Sequence, residues 1–323
     1  MAALRPGPPH HPITNHGRST TKGYVLRVVV SYERATQAGF ADGPVVCQTR
    51  YDAKGGRERT ALVIHAHPDD EVFATGAATI ALAEAGWRVV LRTATAGEAG
   101  EDTADLSAAA LRRARRLDAS CELLGITEWD WLADPGRWID DGGAAGPLSL
   151  AASDAGETAG EIARTLRSVK PDLVLSVGAD GLTGHPDHVA IADALRIALL
   201  QSADCRCAAL GARLDTLDVE AGHRLLQRVL PGESVGSGRV VGCPDGTPLT
   251  EIAGSVSASL RRRQALDQYA AGLGTQDLRQ LVSNYRRRGD SLLLRAVLDV
   301  SGWHRDRFES LRAPAAPADW IGP

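Results

Sequence analysis

The stretch "LVIHAHPDDEVFATG", residues 62–76, decides how the chain is read. A short apolar run with β-branched members leads into two histidines, a proline and three consecutive acids, Asp69, Asp70 and Glu71; a helix-like pattern then begins. Such a run, followed by a longer helical segment, reads as a strand of a parallel sheet buried on both faces. Gathering charge at the end of a buried strand costs several kcal/mol unless a cation, a network or solvent compensates it.

Outward from this stretch the same alternation repeats. "EVFATGAATIALAEAG" reads as a helix, "RVVLRTAT" as a strand, "LSAAALRRARRLDASCELLGI" as a helix ending at Gly125, and "TEWDWLA" as a short strand. "ETAGEIARTLRSV" is a helix, "PDLVLSVG" a strand and "HVAIADALRIALLQSA" a helix. Strands alternating with helices of this length predict an α/β fold, a Rossmann-like three-layer α/β/α sandwich with a mainly parallel sheet. No Gly-x-Gly-x-x-Gly fingerprint follows the first strand, which disfavours a nucleotide-binding oxidoreductase.

Residues 133–153 are Gly-rich and aperiodic, as a long functional loop is, and the pattern weakens again over 211–250. "SASLRRRQALDQYAAG" and "SLLLRAVLDVSGWHRDRFESLR" restore helices. "YVLRVVVSYE" (24–33) is β-prone, and "DAKGGRERT" (52–60) reads as a linker. The expected division is an N-terminal extension at 1–59, partly disordered, a principal domain at 60–312 and a C-terminal tail at 313–323.

The 323 residues, 44% hydrophobic and 24% charged, belong to an ordinary globular chain able to bury a sizeable core. A net charge of -4 argues against nucleic acid as a partner. The clusters "LRRARR" (111–116), "LRRRQ" (260–264) and "YRRRGD" (285–290) each sit in a helical pattern and are expected on solvated helix faces. Five cysteines, odd in number and irregularly placed, predict reduced thiols, no disulfide needed for folding and a cytoplasmic location; the Cys205-x-Cys207 pair lacks a second pair at zinc spacing. No run of 18 apolar residues is present, so no membrane span is expected. His10, His11 and His16 lie in a tail without an apolar targeting core.

Ligands of open α/β sheets bind at the carboxyl ends of strands. Two such ends carry polar clusters: His65 to Glu71 after the first strand, and "GADGLTGHPDHVA" (178–190), with Asp180, His185, Asp187 and His188, after "DLVLSV". Two imidazoles and one carboxylate with an open position make a catalytic zinc site. Alternatively the acids cap the following helix and the histidines are merely buried and hydrogen-bonded; capping leaves the second His-rich strand end unexplained.

"AHPDDE" (66–71) joined with "GLTGHPDH" (181–188) resembles the PIG-L, or LmbE-like, family of zinc-dependent N-acetylglucosaminyl deacetylases, over about residues 61–311. The resemblance implies one Zn²⁺ per chain, with Fe²⁺ also compatible, held by His67, Asp70 and His188. It further implies Asp69 as general base and His185 as stabiliser of the oxyanion or proton donor to the leaving amine. His65 matches no ligand position. "TATAGEAG" (93–100), "RARRL" (113–117) and "GRWIDDG" (136–142) are similar to further family segments and offer Arg113 and Asp140 as contacts for sugar or polyol hydroxyls.

Two departures accompany the likeness. Arg116 stands where the family usually has Glu, and Thr183 where mycothiol-type deacetylases have Tyr. The expected function is removal of an N-acetyl group from a small-molecule or glycoconjugate amino sugar. Cleavage of a larger, mycothiol-type amide and a non-catalytic metal-binding scaffold stand as alternatives, the scaffold disfavoured by the retained Asp69. Oligomeric state is not legible.

Overall fold

The computed structural model describes residues 58–312, except 203, 241 and 245, together with the strands Val25–Val30 (β1) and Val45–Arg50 (β2). The readings of residues 1–23, 52–57 and 313–323 lie outside the described residues. β1 and β2, drawn from the expected N-terminal extension, pair antiparallel, and β1 pairs antiparallel with Thr250–Ala253 (β8).

The described residues form an α/β fold around one nine-stranded mixed sheet. Its functional half is five contiguous parallel strands. Thr60–His65 (β3) lies between Arg88–Thr93 (β4) and Leu173–Val177 (β6); Glu128–Trp131 (β5) flanks β4, and Ala208–Arg213 (β7) flanks β6. Arg305–Arg312 (β9) then joins β7 to β8 in antiparallel fashion. The chain builds outward from β3 through β4 to β5 and returns to the other side of β3 as β6. Between β3 and β6 the strand order therefore reverses, which is where an open α/β sheet opens a crevice at its carboxyl ends.

Period-two alternation splits the core into two layers. Ala61, Val63, Val89, Leu91 and Leu175 face one side. There they meet Asp70–Phe73 (α1), Gly76–Glu84 (α2), Leu106–Leu124 (α3) and Val256–Tyr269 (α8), with Thr216–Val229 (α7), Leu278–Asn284 (α9) and Asp290–Ser301 (α10) completing that layer. Leu62, Ile64, Val90 and Val174 face the other side and pack on Ala155–Val169 (α4) and Pro186–Gln201 (α6). Between β6 and α6 lies the short turn Gly181–Gly184 (α5).

Several expectations change. The single helix expected at 71–86 is two, broken at Ala74 and Thr75. The helical reading of residues 303–312 is overturned: Gly302, at φ 104°, ends α10, and β9 follows with Asp306 and Phe308 buried in alternation. The weak region 211–250 holds the end of β7 and the whole of α7. The expectation of solvated arginine clusters fails at two points, Arg113 at 5% and Arg262 at 0% exposure, and residues 285–289 connect α9 to α10 rather than forming a helix. Among the described residues no helix is long and apolar enough to cross a membrane.

Candidate metal centre

β3 delivers His65 into the core and His67 just past its end. The His65 ring is fully buried, with Nε2 3.0 Å from Thr75 Oγ1, and burial drives its pKa down to about 4. His67 instead turns into the crevice. Its backbone N–H donates to Asp70 Oδ2 at 2.9 Å, which folds residues 67–70 into a tight loop before α1.

Asp69 occupies the N-cap of α1 in a left-handed conformation, φ 104°, and makes no capping bond with its side chain. A non-glycine residue in this region carries roughly 1–3 kcal/mol of strain, held only where the surroundings over-determine it. Two neighbours do so here, Glu71 and Arg113, and two more hold Glu71 in place. The Asp69 N–H donates to Glu71 Oε2 at 2.8 Å, Arg113 donates to Asp69 Oδ2 at 3.1 Å and to the Pro68 carbonyl, and Glu71 Oε1 in turn accepts from Ser120 and Tyr269 at 2.6 and 2.7 Å. Capping thus accounts for neither Asp69 nor Asp70.

The second arm comes from α5 and α6. His185 caps α6, its Nδ1 accepting the Asp187 N–H at 3.3 Å, and Pro186 occupies the first turn. His188, one turn on, presents Nε2 to the first arm: 3.1 Å from His67 Nδ1 and 3.1 Å from Asp70 Oδ1. His67 Nδ1 is 3.7 Å from Asp70 Oδ2. The structure therefore brings His67, Asp70 and His188 together across 121 residues of sequence.

The far side of each ring shows what lies between them. His67 Nε2 is 3.0 Å from Asp187 Oδ2, and Asp187 is fully buried with its other oxygen taken by the Ala151 N–H at 2.8 Å. A carboxylate accepts only, so Nε2 carries a proton, which leaves Nδ1 as the nitrogen that a metal can take when it displaces the second proton. His188 Nδ1 lies 2.9 Å from the Gly181 carbonyl, so it too carries the proton and Nε2 the lone pair. His67 Nδ1 and His188 Nε2 at 3.1 Å, with an acceptor carboxylate beside them, need positive charge between them, which a proton on His67 Nδ1 or a bound cation supplies. A histidine whose outer N–H is fixed by a carboxylate or carbonyl is the arrangement found around bound metals. These donors fit a divalent ion.

Without a metal, that positive charge is a proton on His67. Burial pulls His67 down, but Asp140, Asp187 and Asp70 outweigh it and push it up to about 10. Asp70 is held far below the usual carboxylate range: burial opposes ionisation, and His188 and His67 overcome it. Burial raises Asp69, with Arg113 opposing. Burial and the neighbouring rings of His67 and His188 lower His185, whose ring lies 4.9 Å from that of His67.

Of the remaining expected site residues, Asp140 is buried, Oδ1 3.8 Å from His67 Nε2, and its N–H donates to Glu98 Oε2 at 3.0 Å. His67 with His185 and His188, and His67 with Asp140 and Asp187, form two further groups whose ligand atoms lie within 4.8 Å of one another; the proton fixed on Nε2 favours the Nδ1 side. Arg113 is 5% exposed and sits beneath Asp69 with its guanidinium 5.2 Å from the Tyr269 ring. Thr183 is buried, within 3.3 Å of His188 Nδ1 and of the His185 N–H. Sequence reading gave no role to Asp187, Glu71 or Tyr269. Asp187 and Glu71 each left a signal, lying inside the two motifs, and Tyr269 left none.

Residues 62–199 match the PIG-L family model, described as GlcNAc-PI de-N-acetylase. The chain is 40% identical over 165 residues to a 1D-myo-inositol 2-acetamido-2-deoxy-alpha-D-glucopyranoside deacetylase of Kineococcus radiotolerans, a match covering 45% of this chain and 46% of that protein. A protein of the same description from Frankia casuarinae is 37% identical over 163 residues, covering 45% and 51%. The chain spans about half the length of the curated relatives it matches. Among solved structures, the antimicrobial reagent A40926 pseudoaglycone deacetylase is similar in fold, with a TM-score of 0.50 and 20% identity over 78% of this chain and 96% of that one.

Proposed function

We propose that this chain, whose residues 62–199 match the PIG-L family model, is a zinc-dependent hydrolase that removes the N-acetyl group from a GlcNAc-type amino sugar. The observation that carries the reading is the pair of imidazole nitrogens, His67 Nδ1 and His188 Nε2, 3.1 Å apart beside Asp70, each ring with its outer nitrogen bound to an acceptor. His67 Nδ1, His188 Nε2 and Asp70 are the ligands, and Fe²⁺ suits the same donors. A metal held there supplies Lewis-acid polarisation of an amide carbonyl and acidification of a water.

The residues around it supply the rest. Asp69 keeps a quarter of its side chain exposed, 26%, while its neighbours lie almost fully buried, so it faces the crevice and accepts a proton from the attacking water. Arg113 holds one of its oxygens and leaves the other for that proton. His185, with Nδ1 engaged in capping, turns Nε2 toward the crevice to stabilise the carbonyl oxygen or protonate the departing amine. Asp140 borders the same space. Arg113 belongs beneath the base, and a contact with substrate hydroxyls falls better to Asp140.

Relatives described as acting on an acetamido-glucopyranoside of inositol support an amino sugar joined to a polyol as the substrate class. We assign the activity to residues 60–312, and the free thiols among the described residues suit a cytoplasmic enzyme. Metal analysis followed by an amine-release screen of N-acetylglucosaminyl compounds tests the reading. Metal-dependent appearance of free amine is expected; release of amine from none of them, by a chain carrying metal, overturns it.

A further inference from the structure

Two thiols far from these roles share the connection from α6 to β7. Cys205 and Cys207 have sulfurs 2.9 Å apart. At i, i+2 just before β7, the two side chains point to the same side of the chain. Arg312 on β9 donates to the Cys205 carbonyl at 2.7 Å and pins this turn. Cys207 is 2% exposed and packs in the layer under α4 and α6, whereas Cys205 is half-buried. The other two described cysteines, Cys121 and Cys243, are buried.

The pair is also asymmetric in acidity. Its hydrogen bond with Cys207 holds the Cys205 thiol below the ordinary thiol range. The same contact, then burial, raises Cys207. The sulfur that solvent reaches is thus the one more readily a thiolate, and the thiolate is the nucleophile in exchange.

We propose that Cys205 and Cys207 form a reversible dithiol–disulfide pair that reacts with low-molecular-weight disulfides, Cys205 attacking and Cys207 resolving. In the first step the Cys205 thiolate attacks one sulfur of a disulfide RSSR. That S–S bond breaks, a mixed disulfide forms on Cys205, and one RS⁻ leaves and takes a proton. Cys207 then releases its proton to solvent and attacks the Cys205 sulfur. The mixed disulfide breaks, the second RS⁻ leaves, and the Cys205–Cys207 bond closes. Two protein thiols lose two electrons and one RSSR becomes two RSH. The sulfurs have less than an ångström to travel, to about 2.05 Å.

Arg206 between the two cysteines gives the test a distinctive readout. The reduced full-length chain is treated with oxidised glutathione, its free thiols are alkylated, and it is digested with trypsin without reductant. The expected product keeps residues 197–206 and 207–213 joined, two hydrogens lighter than the reduced pair and unalkylated, and dithiothreitol reverses it. Cys207→Ser should stop at a glutathione adduct on Cys205, and Cys205→Ser should leave Cys207 unmodified. Full alkylation of both cysteines after oxidised glutathione, or a Cys205 adduct in the unsubstituted chain that never closes, overturns the proposal. The mapping on the unsubstituted chain decides the matter even where a serine variant fails to fold.

Discussion

Asp187 holds His67 from behind: its Oδ2 lies 3.0 Å from His67 Nε2, on the side of the ring opposite His188. The contact decides which nitrogen of His67 is free. In Asp187→Asn the amide carbonyl can still accept the Ala151 N–H, which turns the NH₂ toward Nε2 and forces the proton onto Nδ1, the nitrogen aimed at the cluster. Loss of such an outer partner typically weakens metal affinity about 10- to 100-fold. Competitive metal titration of the two proteins should show a weakening of that order; equal affinities would mean the Nδ1 side is not the ligating side.

Metal should also stabilise the chain. The cluster gathers Asp70, Asp140 and Asp187 within reach of two histidines in buried surroundings, and binding to the folded state alone adds about 2.7 kcal/mol at a metal concentration 100 times Kd. Chelation should lower the melting temperature and one divalent equivalent restore it. His67→Ala should melt alike with and without chelator.

The centre was legible in sequence because its groups lie in two short motifs, each at the end of a strand whose apolar run is unmistakable. Its outer support was not. Asp187 acts on a residue 120 positions away, and Tyr269 reaches Glu71 from 198 positions away, distances over which no local pattern speaks. β9 misled for another reason. Its charged residues alternate with buried ones and are matched by distant acids, Arg307 with Asp218 on α7 and Glu251 on β8, and in sequence such a segment looks like the polar face of a helix.

Arg262 shows the same blindness to burial. It is fully buried, ion-paired with Asp306 at 2.8 Å, and donates to the Val72 and Phe73 carbonyls at the end of α1. Arg262→Met keeps much of the volume but leaves the buried Asp306 without its counter-charge, holding only backbone donors such as the Ala78 N–H, a loss of about 3–5 kcal/mol for a broken buried pair. Denaturant midpoints should show it. The double variant Arg262→Met, Asp306→Leu should recover part of the loss, since the orphaned charge goes with it.

Acid should weaken the fold through His65. Its folded pKa, about 4, lies below the ordinary value of 6.5 because burial disfavours the charged ring. A depressed group contributes stability that is complete above pH 6.5 and is lost as pH falls toward 4. One pKa unit is about 1.4 kcal/mol, so the contribution is on the order of 3 kcal/mol. With metal chelated, stability should decline across this window, and His65→Leu should decline less. Parallel curves would place the acid sensitivity elsewhere.

Asp69 and Asp70 are neighbours in sequence with opposite surroundings, and one pair of substitutions separates them. Asp70 is 4% exposed and lies among His67 and His188, so Asp70→Asn removes a ligand charge and should lose metal and activity together. Asp69 faces the crevice with Arg113 on one oxygen, so Asp69→Asn keeps shape and metal but removes the proton acceptor. General-base catalysis contributes about 10²- to 10⁴-fold, and amine release should fall by that order while metal content stays near that of the unsubstituted protein. Its strained backbone, φ 104°, favours Asn here, since Asn tolerates the left-handed region nearly as well as Asp, so the loss is one of chemistry and not of folding. Were Asp69→Asn to empty the site instead, Asp69 would be a ligand and the division of roles between the two acids would fail.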